Sequence, residues 1–381
     1  MGAFFEPTPE QRRELEAIAA EIPEVQRGLV RNHAQLVMAD RGAHQQQLAA
    51  STVLLSIAET LPPALDGLGV FQRGAQAQIG IGRISTGMGC PHAETDADFL
   101  GLMVAFRTAA GRRIDFITIN DPTSPTDTPE EFLALLQATA DAAGATGVLA
   151  SRARLLASLA RHAGLRAPAI AAHVTGQTHR TVRSSTAYQQ YWTGIVRARD
   201  VLGKFTFVPA IQASQEPEAH RGANHFTMDW RRRQSAAPLV FELRWIPFLD
   251  SQQTPVDDLT SPWADGHQVA VGTVTFPKID ADALPTKLIA LLASELGANP
   301  GNWDEAPEGR PDLPSTRFTA ARQLAYRASQ QARGALPDER YASFFDRGEV
   351  EPELATELVR RYHEKRAARH WVPDVGEIAL T

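Results

Sequence analysis

The order of apolar and polar residues along the chain predicts an α+β protein. Runs in which apolar residues alternate with polar ones, or follow one another without interruption, are typical of strands. These runs are 48–57, 76–84, 100–106, 113–119, 203–209, 239–245 and 268–276. Apolar residues at helical spacing predict helices over 8–39, 129–143, 147–163, 284–296, 317–334 and 351–369. We therefore expect an antiparallel β-barrel or curved sheet, with helices around it and at its C-terminal end.

Composition narrows the function classes. The 381 residues carry a net charge of −6, which argues against a nucleic-acid-binding protein. A single cysteine, Cys90, excludes an intramolecular disulfide framework and a zinc site made of several cysteines. The sequence does not open with a basic segment followed by an apolar core, and no apolar run is long enough to span a bilayer. We therefore expect a cytoplasmic protein without a membrane span.

Arg322 and Tyr326 lie four residues apart within the predicted helix 317–334. On a helix this spacing places a guanidinium beside a phenol on one face. A nearby cation favours the ionised phenolate, and a tyrosine phenolate is one of the few side chains that serve as the proximal ligand of a haem iron. Such a pair also arises by chance in charged helices, with the tyrosine packed in the core, so its meaning depends on the rest of the chain.

Four short segments give this pair a context. In chain order they are Arg41-Gly42-Ala43-His44, Arg83-Ile84-Ser85, Asn120-Asp121-Pro122 and Arg322…Tyr326…Arg333. In this order and at this spacing they resemble the haem catalase superfamily. They are most similar to the small catalase-related haem peroxidases, with Ile84 where that family has Phe. The similarity extends over residues 40–335.

The resemblance implies a catalase-like antiparallel β-barrel with surrounding and C-terminal helices. It divides the chain into an N-terminal helical segment over 1–39, a haem-binding barrel domain over 40–335 and a C-terminal helical extension over 336–381. The charge pattern of the predicted helix 351–369 is typical of an exposed or interface helix, which suggests a homo-oligomer.

For the peroxide side of the site, the resemblance implies His44, Ser85 and Asn120 as catalytic residues. Breaking a peroxide O–O bond on ferric haem requires a base that moves a proton between the two oxygens, and neutral histidine can do so near neutral pH. Ser85 would orient the imidazole of His44, and the amide of Asn120 would hold the peroxide oxygen. The alternative histidine, His33, has no arginine three residues before it. The ordinary alternatives for the three implied residues are a surface histidine, a strand hydroxyl and a turn residue.

For the cofactor side, the resemblance implies haem b, with Tyr326 as the ligand of its iron and Arg322 as the cation that keeps the phenolate ionised. Guanidinium groups bind carboxylates well, and the family has arginines that bind the haem propionates. The residues that match those positions are Arg41, Arg83 and Arg333. Phe132 is expected to replace an aromatic residue that packs on the haem in relatives. Arginines like these are otherwise ordinary surface charges.

The peroxide side departs from the family pattern. Ala43 stands where catalases usually have Val, and the polar segment 123–127 stands where relatives have paired Phe residues. A wider and more polar space would admit a larger peroxide. We expect a haem-dependent peroxide-metabolising oxidoreductase, a catalase-related peroxidase that uses hydrogen peroxide or an organic hydroperoxide and an unidentified electron donor. Two alternatives stay open: conversion of an organic hydroperoxide or specialised substrate, as in the related allene oxide synthase, and haem binding without turnover.

Overall fold

The computed structural model describes residues 5–32, 41–96, 98–143, 145, 148–181, 186–210, 222–303 and 315–378. The alternative histidine, His33, lies outside these residues. Within them the strands are β1 (Gln47–Ile57), β2 (Gln78–Thr86), β3 (Leu100–Arg107), β4 (Arg113–Ile119), β5 (Tyr191–Thr193), β6 (Val196–Ala198), β7 (Val201–Pro209), β8 (Leu239–Pro247) and β9 (Val269–Phe276). The α-helices of the same ranges are α1 (Pro9–Asn32), α2 (Pro129–Ala142), α3 (Val148–Ala163), α4 (Ala167–Thr181), α5 (His225–Ala236), α6 (Leu284–Glu295), α7 (Arg317–Ala332), α8 (Phe344–Arg347) and α9 (Pro352–Ala367).

The strands form one antiparallel sheet that closes into a barrel. Its order is β5-β4-β3-β2-β1-β9-β8-β7-β6, and β5 also pairs with β7. The short strands β5 and β6 pair with different parts of β7, at Tyr191 opposite Phe207 and at Val196 opposite Gly203. The two short strands thus share one position, and the ring formed by the described strands has eight positions. The predicted antiparallel β-barrel is confirmed.

Side chains fill the inside of the barrel, because successive residues of a strand point to opposite faces of a sheet. Phe205 of β7 stacks on Phe71, with ring centroids 5.5 Å apart, and packs edge-on against Phe116 of β4 at 5.1 Å. The barrel interior is therefore a packed core. The residues that alternate with the inward ones, such as Ser85 in β2 and Lys204 in β7, point to the outer face.

Helices cover the outer face of the barrel in two groups. Helices α6, α8 and α9 pack with outward residues of β1, β2 and β3 in one apolar cluster, which includes Ile81 and Leu358. Helices α1, α2 and α7 pack around another cluster, which includes Leu29, Leu136 and Ala325. The surrounding and C-terminal helices predicted from the sequence are confirmed. Across the described ranges, no helix combines the length and the apolar character needed to cross a membrane.

Arg113, which forms a buried ion pair within β4, also ties the segment after α7 to the barrel. Nε of Arg113 lies 2.7 Å from Oδ1 of Asp115 on β4, and both side chains are buried. Nη1 of Arg113 lies 2.8 Å from Oδ1 of Asp338, and it also donates to the hydroxyl of Tyr341. The chain beyond α7 is thus anchored by charge as well as by apolar packing.

The pattern of apolar residues did not predict α4, α5, α8, β5 or β6. Strands of three residues are too short to show a period of two. Helix α4 contains Pro168 near its start and Gly176 in its interior, and both residues weaken a helix signal. Its packing is what holds it, because Ile170 joins Ala138 of α2 and Leu159 of α3 in a buried cluster. Contacts between distant segments of the chain create this helix.

Candidate functional site

A cavity of about 290 Å³ lies against the outer face of the barrel. Its walls come from the segment before β1, from strands β2 to β5 and β7, from the loop after β4, and from helices α1 to α4, α6 and α7. Most of the residues predicted for the site line it: Arg41, His44, Arg83, Ser85, Phe132, Arg322, Tyr326 and Arg333. Asn120 is the predicted site residue that does not line the cavity.

His44 is held in a fixed backbone and side-chain geometry. Its φ of 54° lies in the left-handed region, which a residue with a Cβ adopts only where its neighbours enforce it. Its backbone N–H donates to the carbonyl of Gly87 at 2.9 Å, and its Nδ1 lies 3.2 Å from Oγ of Ser85. Gly101, opposite Ser85 in the pairing of β2 with β3, leaves room for the imidazole ring. The pairing of β2 with β3 therefore positions the side chain of His44.

The surroundings of His44 favour the neutral imidazole. Burial and, after it, the positive charge of Arg83 lower the pKa of His44 to about 4, while the carboxylate of Asp98 acts in the opposite direction. The guanidinium of Arg83 also donates to the backbone carbonyl of His44 at 2.7 Å. At neutral pH the ring is therefore an unprotonated base facing the cavity.

Asn120 follows the last residue of β4, but its amide is directed to other partners. Its Oδ1 accepts a hydrogen bond from the backbone N–H of Leu100 at 2.8 Å, and its Nδ2 donates to Oε1 of Gln189. Both ends of this amide are therefore engaged by residues outside the cavity lining. The structure does not bring this amide to the cavity, and the peroxide-binding role of Asn120 stays a prediction.

Tyr326 and Arg322 make the contact that their spacing predicts. Helix α7 begins at Arg317, where the hydroxyl of Thr316 caps it by accepting from the backbone N–H of Thr319 at 3.1 Å. One turn further, Nη2 of Arg322 lies 3.4 Å from the phenol oxygen of Tyr326, and its guanidinium carbon lies 5.6 Å from the ring centroid. In the described part of the chain, Arg322 is the only hydrogen-bond partner of this phenol.

Arg41 and Arg333 converge at the C-terminal end of α6. Nη2 of Arg41 donates to the carbonyl of Ser294 at 2.5 Å. Arg333 donates to the same carbonyl at 3.3 Å and to the carbonyl of Leu296 at 2.7 Å. Carbonyls at the end of a helix carry partial negative charge, which stabilises two neighbouring cations. This part of the cavity is consequently cationic and suited to carboxylates.

An apolar wall borders the same cavity. Phe132 of α2 packs edge-on against Phe318 of α7, with ring centroids 5.8 Å apart. Both rings contact a cluster that includes Leu259 and Trp263. Phe132, placed at the site by resemblance, therefore lies at the cavity among other apolar side chains.

Lys204 of β7 also lines the cavity, and the sequence reasoning missed it. It is only 4% exposed. Its Nζ lies 4.8 Å from the ring centroid of Trp263 and donates to the carbonyl of Pro122 at 3.3 Å. Burial lowers the pKa of Lys204 to about 8, and the carboxylate of Asp121 acts in the opposite direction. A signal was available, because a lysine beside the inward-facing Phe205 in an apolar strand must point outward.

The loop after β4 carries a polar network that the sequence reasoning also missed. The Oδ1 atom of Asp121 accepts from the backbone N–H and the hydroxyl of Thr123, at 3.0 and 2.6 Å. The same oxygen accepts from Nε2 of Gln177 on α4 at 2.9 Å. Nε2 of His173, also on α4, lies 3.1 Å from the hydroxyl of Thr123. The polar segment 123–127 is thus held in place by α4.

Solved structures of catalases share this fold. One is a bacterial catalase, with 18% identity and a TM-score of 0.57, covering 77% of this chain and 57% of that chain. A fungal catalase has 13% identity and a TM-score of 0.60, covering 80% of this chain and 61% of that chain. Catalase A from Saccharomyces cerevisiae has 13% identity and a TM-score of 0.60, covering 80% of this chain and 62% of that chain.

At these identities the similarity shows the catalase-like fold alone. The chain spans about three fifths of the length of these catalases. No protein-family model matches the sequence, and neither does any curated protein.

Proposed function

We propose that this protein is a haem-dependent oxidoreductase that acts on peroxides, a catalase-related peroxidase. The observation that carries the proposal is that a neutral histidine, His44, and an arginine-paired tyrosine, Tyr326, line one cavity of a catalase-like fold. Haem b, when bound, supplies a redox-active iron at which a peroxide O–O bond can break.

The residues around the cavity fit this cofactor. The phenol of Tyr326 is a suitable single anionic ligand for ferric iron, and the guanidinium of Arg322 lies 3.4 Å from its oxygen. Arg41 and Arg333 would bind the propionate carboxylates beside the end of α6. Phe132 would pack on the flat apolar face of the cofactor. Together these groups match the shape and charge of haem: a metal ligand, a cationic edge and an apolar wall.

His44 would carry out the proton transfer. Its Nδ1 lies 3.2 Å from Oγ of Ser85, and its Nε2 would take a proton from one peroxide oxygen and return it to the other. Arg83 holds the backbone carbonyl of His44 and would also contribute positive charge to the propionate side. Asn120 would join them as a peroxide donor only after its Nδ2 turns from Gln189 toward the cavity.

A second candidate keeps the fold and the cofactor but takes a larger substrate, an organic hydroperoxide. It is favoured by the walls of the cavity, because Thr123 and Ser124 stand beside it with Leu155 of α3 and Val174 of α4. These residues offer polar and apolar surface beyond what a molecule as small as hydrogen peroxide requires. Haem binding without turnover is favoured by one observation, the position of Asn120 outside the cavity lining.

Purified protein with its bound haem distinguishes these functions. Oxygen release from hydrogen peroxide supports a catalase-type reaction, and consumption of cumene hydroperoxide without oxygen release supports the second candidate. His44→Gln should lower turnover by about 100-fold or more and leave the haem content unchanged. The matched control is His267→Gln, at an exposed histidine. A protein that binds no haem, or a His44→Gln variant with full turnover, would refute the proposal.

A further inference from the structure

Lys204 is a buried cation with unused hydrogen-bonding capacity. An ammonium group has three N–H donors. In the described part of the chain, its only hydrogen bond goes to the carbonyl of Pro122, at 3.3 Å, and no carboxylate lies within 4.0 Å of its Nζ. Since the side chain lines the cavity, the remaining donors are available to a molecule bound there.

The nearest acid does not supply the missing partner. Asp121 acts on Lys204 through its charge, but the hydrogen bonds of its carboxylate go to Thr123 and Gln177. A buried charge without a partner is costly, and burial lowers the pKa of Lys204 to about 8. The ammonium form still predominates at pH 7. An anion bound in the cavity would provide the missing counter-charge.

This cation is separate from the arginines assigned to the cofactor. Arg41 and Arg333 are held at the carbonyl of Ser294, whereas Lys204 contacts Pro122 and Trp263. The two groups share no hydrogen-bond partner among the described residues. The cavity therefore offers a second anion-binding position beyond the one that fits the propionates.

The surroundings of Lys204 define the ligand class. The ring of Trp263 beneath the ammonium belongs to an apolar cluster with Ile195 and Leu259, and Leu155 and Val174 also line the cavity. A molecule that satisfies both features has one anionic end and an apolar body. We propose that Lys204 binds the carboxylate of the peroxide substrate, which is an amphiphilic carboxylic acid that carries a hydroperoxide group. This inference rests on the proposed peroxidase function.

Binding of decanoate to the purified protein tests the inference without requiring turnover. At pH 7, isothermal titration calorimetry should show decanoate binding more tightly than decan-1-ol. Lys204→Met should weaken decanoate binding by about tenfold or more and leave decan-1-ol unaffected. Lys204→Arg should retain most of the preference because it keeps the charge. The matched control is Lys278→Met, at an exposed lysine, which should bind like the wild type.

A pH titration of the wild type covers the case in which Lys204→Met fails to fold. The preference for decanoate should fall as the pH rises through about 8, because the ammonium of Lys204 then loses its proton. Asp121 is the charged group of the described residues that acts on it. Equal binding of acid and alcohol, or full decanoate binding in a folded Lys204→Met variant, overturns the inference.

The outcomes separate the two proposals. Peroxide turnover without a carboxylate preference overturns the role of Lys204 and leaves the peroxidase function standing. Decanoate binding that depends on Lys204, in a protein that turns over no peroxide, supports the anion site and refutes the peroxidase function.

Discussion

The imidazole of His44 lies directly over Gly101. A Cβ added to Gly101 would lie 2.6 Å from both Cε1 and Nδ1 of the histidine ring. Gly101 faces Ser85 across the pairing of β2 with β3. The glycine leaves space for the ring, and the serine hydroxyl lies within hydrogen-bond distance of its Nδ1. The position of the proposed base is therefore set by the sheet, although the histidine itself precedes β1.

Gly101→Ala should displace the imidazole of His44 while leaving Tyr326 and its arginine in place. A misplacement of about 1 Å costs about 100-fold in rate when geometry is critical. We expect peroxide turnover to fall by about that factor, with haem content unchanged in the absorbance spectrum. Gly176→Ala is the matched control, because a Cβ there has no neighbour within 4 Å. Full turnover in Gly101→Ala would contradict the assignment of His44 as the base.

The pH dependence of turnover should report the environment of His44. A lowered pKa means that the neutral ring persists to acid pH, and only protonation at about pH 4 removes the base. Turnover should therefore be flat from about pH 7 to pH 5 and fall as the pH approaches 4. Arg83→Gln removes a positive charge that lowers this pKa, so the acid limb should move to higher pH. A wild-type limb near 6.5, the ordinary value for histidine, would contradict the structure.

Residues whose position follows from strand or helix periodicity could be predicted from the sequence. Ser85 sits on the outward phase of a strand, and Arg322 and Tyr326 sit one turn apart on a helix, so local geometry fixes their mutual arrangement. The long strands of the barrel could be predicted for the same reason. No local pattern indicates that these segments belong to one site. That expectation came from their resemblance to the haem catalases.

Side chains whose direction or burial depends on distant partners could not be predicted. Whether the amide of Asn120 faces the cavity is decided by Gln189, which lies 69 residues away in the chain. Lys204 becomes a buried cation only because the loop at Pro122 and the ring of Trp263 close over it. Helix α4, which anchors the polar loop through Gln177, depends on tertiary packing as well. Each of these features requires the assembled fold.

The buried pair of Arg113 and Asp115 should matter more for stability than ion pairs at the surface. Arg113→Met leaves the carboxylate of Asp115 buried without its cation, which typically costs about 3–5 kcal/mol. Urea denaturation followed by tryptophan fluorescence measures the free energy of unfolding. Arg360→Met is the matched control, because its pair with Glu364 is exposed and such pairs contribute at most about 1 kcal/mol. Similar losses in both variants would refute the stabilising role of the buried pair.

Tyr326→Phe should remove the proposed iron ligand and change little else. The phenol makes a single hydrogen bond among the described residues, at 3.4 Å to Arg322, so its loss should cost little folding stability. We expect the variant to be purified with little or no haem, or with an absorbance spectrum that no longer indicates a phenolate ligand. Tyr362→Phe is the matched control, because this tyrosine of α9 lies in the cluster against α6 and not at the cavity. It should retain the wild-type spectrum. Haem bound with an unchanged spectrum in Tyr326→Phe would exclude Tyr326 as the ligand, because a group other than its phenol would then account for the signal of the wild type.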